Sequence, residues 1–570
     1  LGLDISRTSD ESFLPKYYLN GTDQVTNAKV GRGVGQRDYW VFENYLSYND
    51  KFGDHTVSTM VGTSAEKERY ETVNASKEGL VNNDANQQII NAATKNPAAS
   101  GSVSYHTMNS YFGRVFYSYA DKYMITANIR WDGSSNFADK HRWGVFPSVS
   151  GGWNFREESF IKDVVGDWFS QGKFRAAWGE IGNQNISSGA YLTRYGNSTY
   201  YLLGNSMTPW LSGGRTNVGN PDLRWETTRQ LDFGLDLAFF NSALKFNIDY
   251  FDRKTSDMLV QVPMPAAIGL PNTPWSNAGS VKNRGFEFVL DYHGKIGNDF
   301  SYNFAGNIST YKNKVLSLGG GTNIPGKTHL GNQVNTMIEP GKPIGYFYGY
   351  KMDGVFQTQE EINNYRGGPD NTIIMPTAEP GDLKFVDLNG DGKLGEEDRT
   401  MIGNPHPDFT FGLTLSGEYK GFDLSMFFQG SVGNDILNIL KYDIYSGTGW
   451  YNAPKDIFDK FWTGPGSTNE NFAISANSRD NLTMSEWYIE NGSYVRLKNV
   501  TLGYTFPKQW VQKLTVQNLR LFVAAQNLFT ITSYSGLDPE LGNSNPAFMG
   551  IDMGWYPQAR SFMVGLSLKL

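Results

Sequence analysis

Hydrophobic positions in this chain recur every second residue, in runs that come in pairs. In "DYWVFENYLSYNDKFGDHTVSTMVG", Trp40, Phe42, Leu46 and Tyr48 share one face, and Tyr39, Val41, Glu43, Tyr45 and Ser47 share the other. After a short polar turn, Val57, Thr59 and Val61 alternate again. A period of two sends successive side chains to opposite faces of a strand, so the stretch predicts a hairpin. "YFGRVFYSYADKYMITANIRW" repeats the pattern: Val115, Tyr117 and Tyr119 oppose Arg114 and Ser118, and then Ile125, Ala127 and Ile129 oppose Thr126, Asn128 and Arg130. The cleanest case is "RQLDFGLDLAFFNSALKFNIDYF". Leu231, Phe233, Leu235 and Leu237 form a stripe against Gln230, Asp232 and Asp236, and Phe246, Ile248 and Tyr250 oppose Lys245, Asn247 and Asp249. Three further pairs read the same way: Phe286–Tyr292 with Tyr302–Ile308, Phe409–Tyr419 with Phe422–Gln429, and Val495–Phe506 with Leu519–Asn527.

Alternation fits a sandwich around a dry core, or a barrel with lipid outside and water inside. Connection lengths separate the two. Tight turns sit at Asn49–Asp54, Ala120–Lys122, Phe240–Ser242, Gly294–Asp299 and Lys420–Gly421. Between them lie the long segments Ser64–Ser110, Glu180–Thr227, Asp252–Arg284, Lys312–Asp408, Gly430–Tyr494 and Thr530–Arg560. Short and long connections alternate almost without exception, which marks an outer-membrane barrel with short periplasmic turns and long external loops. Parity argues against a single spanning strand at Ile344–Gly354, which is expected in the external segment or in an extra external hairpin. The reading is all-β: an antiparallel transmembrane β-barrel with about 16 spanning strands, whose outer face carries Phe233, Leu235, Phe246 and Ile248.

Composition agrees. Phe, Tyr and Gly are abundant (36, 32 and 63 of 570 residues), and no run of about 18 apolar residues offers a membrane helix. A formal charge of −7 gives no reason to expect nucleic acid. With no Cys, disulfides, thiolate metal sites and a Cys nucleophile are excluded. The six His form no HExxH, "GRGVG" at Gly31–Gly35 lacks the strand-to-helix context of a nucleotide loop, and no nucleophile–base spacing suggests an enzyme.

Several blocks carry a family resemblance: "NPDLRWETTRQLDFGLDLAFF", "SVKNRGFEFVLDY", "GYFYGYKMDGVFQT", "DLNGDGKLGEEDRTMIGNPHPDFTFGLTLSGEYKGFDLSMFFQGSVGNDILN", "SYVRLKNVTLGYTFP" and "AAQNLFTITSYSGLDPE". In this order they resemble the SusC/RagA-type, TonB-dependent transporters of the Gram-negative outer membrane. The resemblance implies a barrel of about 22 strands around an N-terminal plug. About six strands, the plug and the TonB-contacting segment are then expected outside residues 1–570, which read as the C-terminal portion. Leu570 stands where an aromatic terminus is expected. Import of a glycan or peptide oligomer is implied, with a SusD-like lipoprotein lid and force from TonB–ExbB–ExbD. The alternatives are a passive porin-like or structural barrel, and a secreted calcium-binding β module.

"DLNGDGKLGEED" reads as a calcium loop in the 312–408 external segment. Asp387, Asn389 and Asp391 fall at positions 1, 3 and 5, Gly392 at the sharp bend, the Lys393 carbonyl at 7 and Asp398 at 12. Three converging carboxylates favour a structural Ca2+ over a bare turn. The loop aromatics Trp210, Trp275, Trp450, Tyr451, Trp487, Tyr488, Trp555 and Tyr556 are candidates for substrate or partner contact, or for packing among loops. Arg114, Arg130, Arg175, Asp232, Asp236, Asp249 and Glu287 fall on the polar face, where they are expected to line a transport path, hold the plug or pair with one another.

Overall fold

The computed structural model describes residues 1–203, 208–261, 273–319, 323–326, 328–329, 333–445, 452–474, 480–511, 516–543 and 545–569. Its main feature is a sheet of sixteen strands, each beside its neighbours in chain order. The first five are β1 Gly2–Leu14, β2 Ala28–Phe52, β3 His55–Leu80, β4 Lys95–Tyr119 and β5 Tyr123–Ser134. Next come β6 Trp143–Trp153, β7 Phe169–Asn183, β8 Glu226–Phe239, β9 Leu244–Ser256 and β10 Ser280–Ile296. The last six are β11 Phe300–Ser317, β12 Phe409–Tyr419, β13 Phe422–Val432, β14 Tyr494–Thr505, β15 Asn518–Thr532 and β16 Ser561–Lys569. The expected count of spanning strands is met. The turns explain the registers. Ala120 and Asp121 (φ 50° and 55°) and Lys420 and Gly421 (φ 47° and 89°) adopt the left-handed pairs that match the strands' right-handed twist.

The chain divides into two compact units. One comprises Leu1–Gly151, Trp178–Arg229 and Ser256–Ala278. Here β2, β3 and β4 are 25, 26 and 25 residues long, paired almost throughout. A bilayer needs about 9–11 residues of strand, so well over half of each strand runs on beyond it. The expected long connection Ser64–Ser110 is therefore mostly strand, and only residues 81–94 link β3 to β4. Both faces of "AEKERYETVNASK" are polar, which erased the alternation signal. Backbone pairing and cross-strand ion pairs hold the extension instead: Arg37 with Glu68 at 2.7 Å and with Asp4 at 3.0 Å, and Arg69 with Asp38 at 3.4 Å. Ala28, Val30, Leu80 and Ala93 form a small buried cluster at its far end.

The other unit comprises Gly152–Ala177, Gln230–Thr255 and Gly279–Leu570. Register fixes its faces: Gly417 stands opposite Leu424, Leu424 opposite Leu502 and Leu502 opposite Val523. Leu424, Leu502 and Val523 are exposed, as an apolar face toward lipid requires. A separate core lies in the long connections. Phe347, Phe356, Leu383, Phe472, Met484 and Tyr488 are buried there, drawn from both the 312–408 and 430–494 segments. Each such side chain removed from water contributes about 1.5–3 kcal/mol, so these loops are held by a hydrophobic core of their own. The Ile344–Gly354 stretch belongs to this region. Its strand Tyr346–Tyr350 joins a four-stranded sheet with Ile324–Pro325, Thr336–Ile338 and Arg399–Gly403, apart from the sixteen.

Candidate functional site

Three stretches far apart in sequence meet at the long-loop end of the second unit. Strand Asp435–Asn438 pairs with Ile489–Asn491 on one side and runs parallel to Ile551–Asp552 on the other. Beneath them lies a cavity of about 510 Å³. Its polar wall is continuous. Lys441 Nζ lies 2.9 Å from Glu490 Oε1, donates to the Trp487 carbonyl at 2.9 Å and sits 5.0 Å from the centre of the Trp487 ring. Glu490 also accepts from the Ser535 N–H and hydroxyl, both at 2.9 Å, and from Asn438 Nδ2 at 3.1 Å. Burial alone would raise the Glu490 carboxyl. The Lys441 charge and the Ser535 donors outweigh it and hold the group below the usual range. A second pair, Lys460 and Asp456 at 2.9 Å, lies nearby, and the Tyr445 hydroxyl donates to Asp456 at 3.2 Å. Burial and that carboxylate push Tyr445 up to about 12.

Trp487 and Tyr488, candidates for substrate or partner contact or for packing among loops, are buried in the loop core. Trp487 donates its indole N–H to Asn471 at 2.9 Å and packs edge-on against Phe472 at 4.9 Å, offering only part of its ring to the cavity. Tyr488 donates its hydroxyl to the Leu482 carbonyl at 3.1 Å and packs the loops. Trp555 and Tyr556 are exposed on the segment beside the cavity, where a Cβ on the preceding Gly554 would meet the Leu440 side chain of the cavity wall. Trp275 is half-buried in the first unit and lines a smaller cavity of about 330 Å³ with Arg194 and Gln261. The backbone of Trp210 pairs with Tyr201, but its side chain lies outside the described residues, as do Trp450 and Tyr451 altogether. Asn438, Lys441, Glu490 and Ser535 carry no spacing motif, so sequence reasoning missed them.

The Asp387–Asp398 loop folds around its own amides. Asp387 accepts from the N–H groups of Gly390 at 2.7 Å and Gly392 at 2.8 Å. Asn389 accepts from Asp391 N–H at 2.9 Å, and Asp391 from Lys393 N–H at 2.9 Å. Asp398 is buried and accepts from Leu388 at 2.8 Å, Asn389 at 3.2 Å and Gly395 at 2.7 Å. Gly392 has φ +82°, the bend that position requires. Among the described residues, no three His, Cys, Asp or Glu side chains come together as a metal-holding group.

On the polar face several candidate charges are paired. Arg175 reaches Asp236 at 2.7 Å and Asp249 at 2.9 Å, Arg130 grips Asp132 at 2.7 Å, and Asp232 accepts from Gln230 at 2.9 Å.

Comparison with known proteins adds an independent line. A family model described as TonB dependent receptor-like, beta-barrel, matches residues 1–528. TonB-dependent receptor P3 of Formosa agariphila is 35% identical over 573 residues, covering 96% of this chain and 55% of its own length. TonB-dependent receptor SusC of Bacteroides thetaiotaomicron is 31% identical over 539 residues, covering 92% and 49%. A solved structure of the RagAB peptide transporter superposes with a TM-score of 0.82 at 22% identity, covering 99% of this chain and 59% of that one, a likeness of fold. The chain thus spans about half the length of the curated relatives it matches.

Proposed function

Because the chain belongs to the TonB-dependent receptor-like β-barrel family, we propose that it forms part of the outer-membrane wall of an active importer of oligomeric nutrients, a glycan or a peptide. The observation that carries this reading is the sixteen-stranded sheet, matched by the family over nearly its whole length. A loop core large enough to fix external loops, with a cavity of mixed polar and apolar lining beside it, suits capture of a ligand before passage. A SusD-like surface lipoprotein would close over those loops, and TonB–ExbB–ExbD would act through the rest of the protein. No enzymatic step belongs to this account. Deleting the full-length gene should abolish growth on one class of oligomer, glycan or peptide, as sole carbon source, and restoring it should rescue growth. Unchanged growth on every such oligomer contradicts the reading.

Calcium at the Asp387 loop belongs to the same proposal. Its support is the residue spacing and the positive φ of Gly392. The ion would take the side chains of Asp387, Asn389, Asp391 and Asp398 and the Lys393 carbonyl, and it would brace the external loop. The amide network described above supplies bracing without an ion, so the two readings differ in their response to calcium.

A further inference from the structure

We infer that the lipid-facing side of β10 and β11 carries, at its long-loop end, a binding site for the phosphate groups of lipid A, the phosphorylated glycolipid of the outer leaflet. The inference rests on the outer-membrane barrel reading and gives the wall a ligand of its own, separate from any cargo.

Strand register carries it. In the pairing of β10 with β11, Arg284 stands opposite Lys312 and Lys282 opposite Lys314. Directly opposed residues hold their Cβ atoms about 4.5–5.5 Å apart, and like charges so placed destabilise a sheet. Alternation puts all four on the side that carries Phe286 and Ile308, both exposed, which is the apolar face of these strands. On β9 the same face brings Asp252 and Lys254 beyond Tyr250, whose ring lies 5.1 Å from that of Phe286. Asp252 answers Lys282 at 2.7 Å. Among the described residues, Lys254, Arg284, Lys312 and Lys314 form no ion pair. Unpaired cations gathered on one face, in a chain of formal charge −7, call for an anion from outside.

Position along the strands identifies the source of that anion. Residues 297–299 form the short turn between β10 and β11, and Arg284 and Lys312 each lie twelve residues from it, counted from Ile296 and Phe300. A spanning strand needs about 9–11 residues. Both cations therefore clear the hydrocarbon and stand among the headgroups of the leaflet on the long-loop side. Tyr250 and Phe286 lie one step inside them, at the level of an aromatic girdle. A groove of about 370 Å³ lies here, lined by Tyr250, Arg284, Phe286, Thr310 and Lys312. Asp408, also in its wall, forms no ion pair with either cation. A phosphate between Arg284 and Lys312 would make charge-assisted bonds to both and relieve their repulsion. The apolar part of the same lipid would rest on the two rings and the wall below. A free anion gains only the first of these contacts, and a protein would have to reach the groove through the headgroups.

The test uses the full-length protein in detergent. Diphosphoryl lipid A, its fully dephosphorylated counterpart and inorganic phosphate are the probes, and bound lipid is counted by native mass spectrometry. Diphosphoryl lipid A should bind at least tenfold more tightly than the dephosphorylated form. Arg284→Gln combined with Lys312→Gln should cancel that difference, and Lys420→Gln, at a short turn, should leave it unchanged. A thermal scan separates binding from folding. Without lipid the double variant should melt no lower than the parent, because a like-charge pair is gone, and lipid A should raise the melting temperature of the parent more than that of the variant. If the double variant folds poorly, Arg284→Gln alone reads the same pair. Equal binding of the two lipid A forms overturns the site, as does parental binding by the double variant. Full displacement by millimolar inorganic phosphate assigns the groove to a soluble anion and overturns the lipid. A copurifying protein lost from the double variant, with lipid A binding unchanged, assigns the groove to that protein instead. No preference for phosphorylated lipid A, in a protein that still drives energy-dependent uptake, overturns the site and leaves the importer standing. The preference without any such uptake does the reverse.

Discussion

Asp398 offers the sharpest test of how the 312–408 loop segment is held. It is fully buried, and its two oxygens accept three backbone N–H groups: Leu388 and Asn389 on Oδ1, Gly395 on Oδ2. Asp398→Asn keeps the shape and replaces one acceptor by a donor. If the remaining oxygen faces Leu388 and Asn389, the new NH2 confronts the Gly395 N–H; if it is turned the other way, two bonds fail. At least one bond to a charged acceptor is lost, a cost of about 1.5–3 kcal/mol. At 1.4 kcal/mol per decade, opening of the loop becomes roughly 10–150 times more frequent. Asp398→Ala strands three donors and should do at least as much. Hydrogen exchange followed by mass spectrometry reads this directly, as faster exchange in peptides spanning 383–400 against unchanged peptides from β12. Equal exchange in parent and Asp398→Asn would refute the reasoning. The same assay addresses calcium. If the ion binds as proposed, millimolar calcium slows exchange in the parent and not in Asp391→Ala; if amides alone hold the loop, calcium changes neither.

Leu235 lies in β8, five residues before the Phe240–Ser242 turn, near the middle of the stretch that crosses lipid; Leu235→Arg should cost about 2–4 kcal/mol, measured by urea unfolding in bilayers, and equal stability would reverse the face assignment. Buried His406 bridges the Tyr311 hydroxyl at 3.1 Å and the Ile344 carbonyl at 2.9 Å. Burial lowers its pKa despite the Ile344 hydrogen bond, so its neutral form is favoured in the fold and its contribution is present above the unfolded value of about 6.5. That contribution is lost as pH falls below this, so proteolysis of the 312–408 segment should rise between pH 7.5 and 5.5 in the parent and not in His406→Gln. Arg496→Met removes the buried partner of Asp538 and Glu540, and should cost about 3–5 kcal/mol, seen as cleavage within 533–560.

The hairpins were legible because one side of each strand is apolar and the turns are short, as at β8–β9 and β12–β13. The outer halves of β2–β4 were not, because residues such as Glu66, Arg69 and Glu71 put charge on both faces and leave no period to read. Loop burial was equally hidden. Sequence alone left Trp487 and Tyr488 between recognition and loop packing; they fill a core assembled from segments more than a hundred residues apart, Phe356 and Phe385 among them. The cavity escaped for the same reason: Asn438, Glu490 and Ser535 become neighbours only through tertiary folding. The Asp387 loop showed the opposite limit, since its spacing was clear while the bonding of its carboxylates to amides depends on backbone geometry.

The most direct test of the central claim is uptake of radiolabelled oligomer by cells carrying the full-length gene or its deletion, with and without an uncoupler of the proton-motive force. The account predicts saturable uptake that needs the gene and collapses when the membrane is uncoupled. Gene-dependent uptake at the same rate in uncoupled cells would show a passive pore and contradict it.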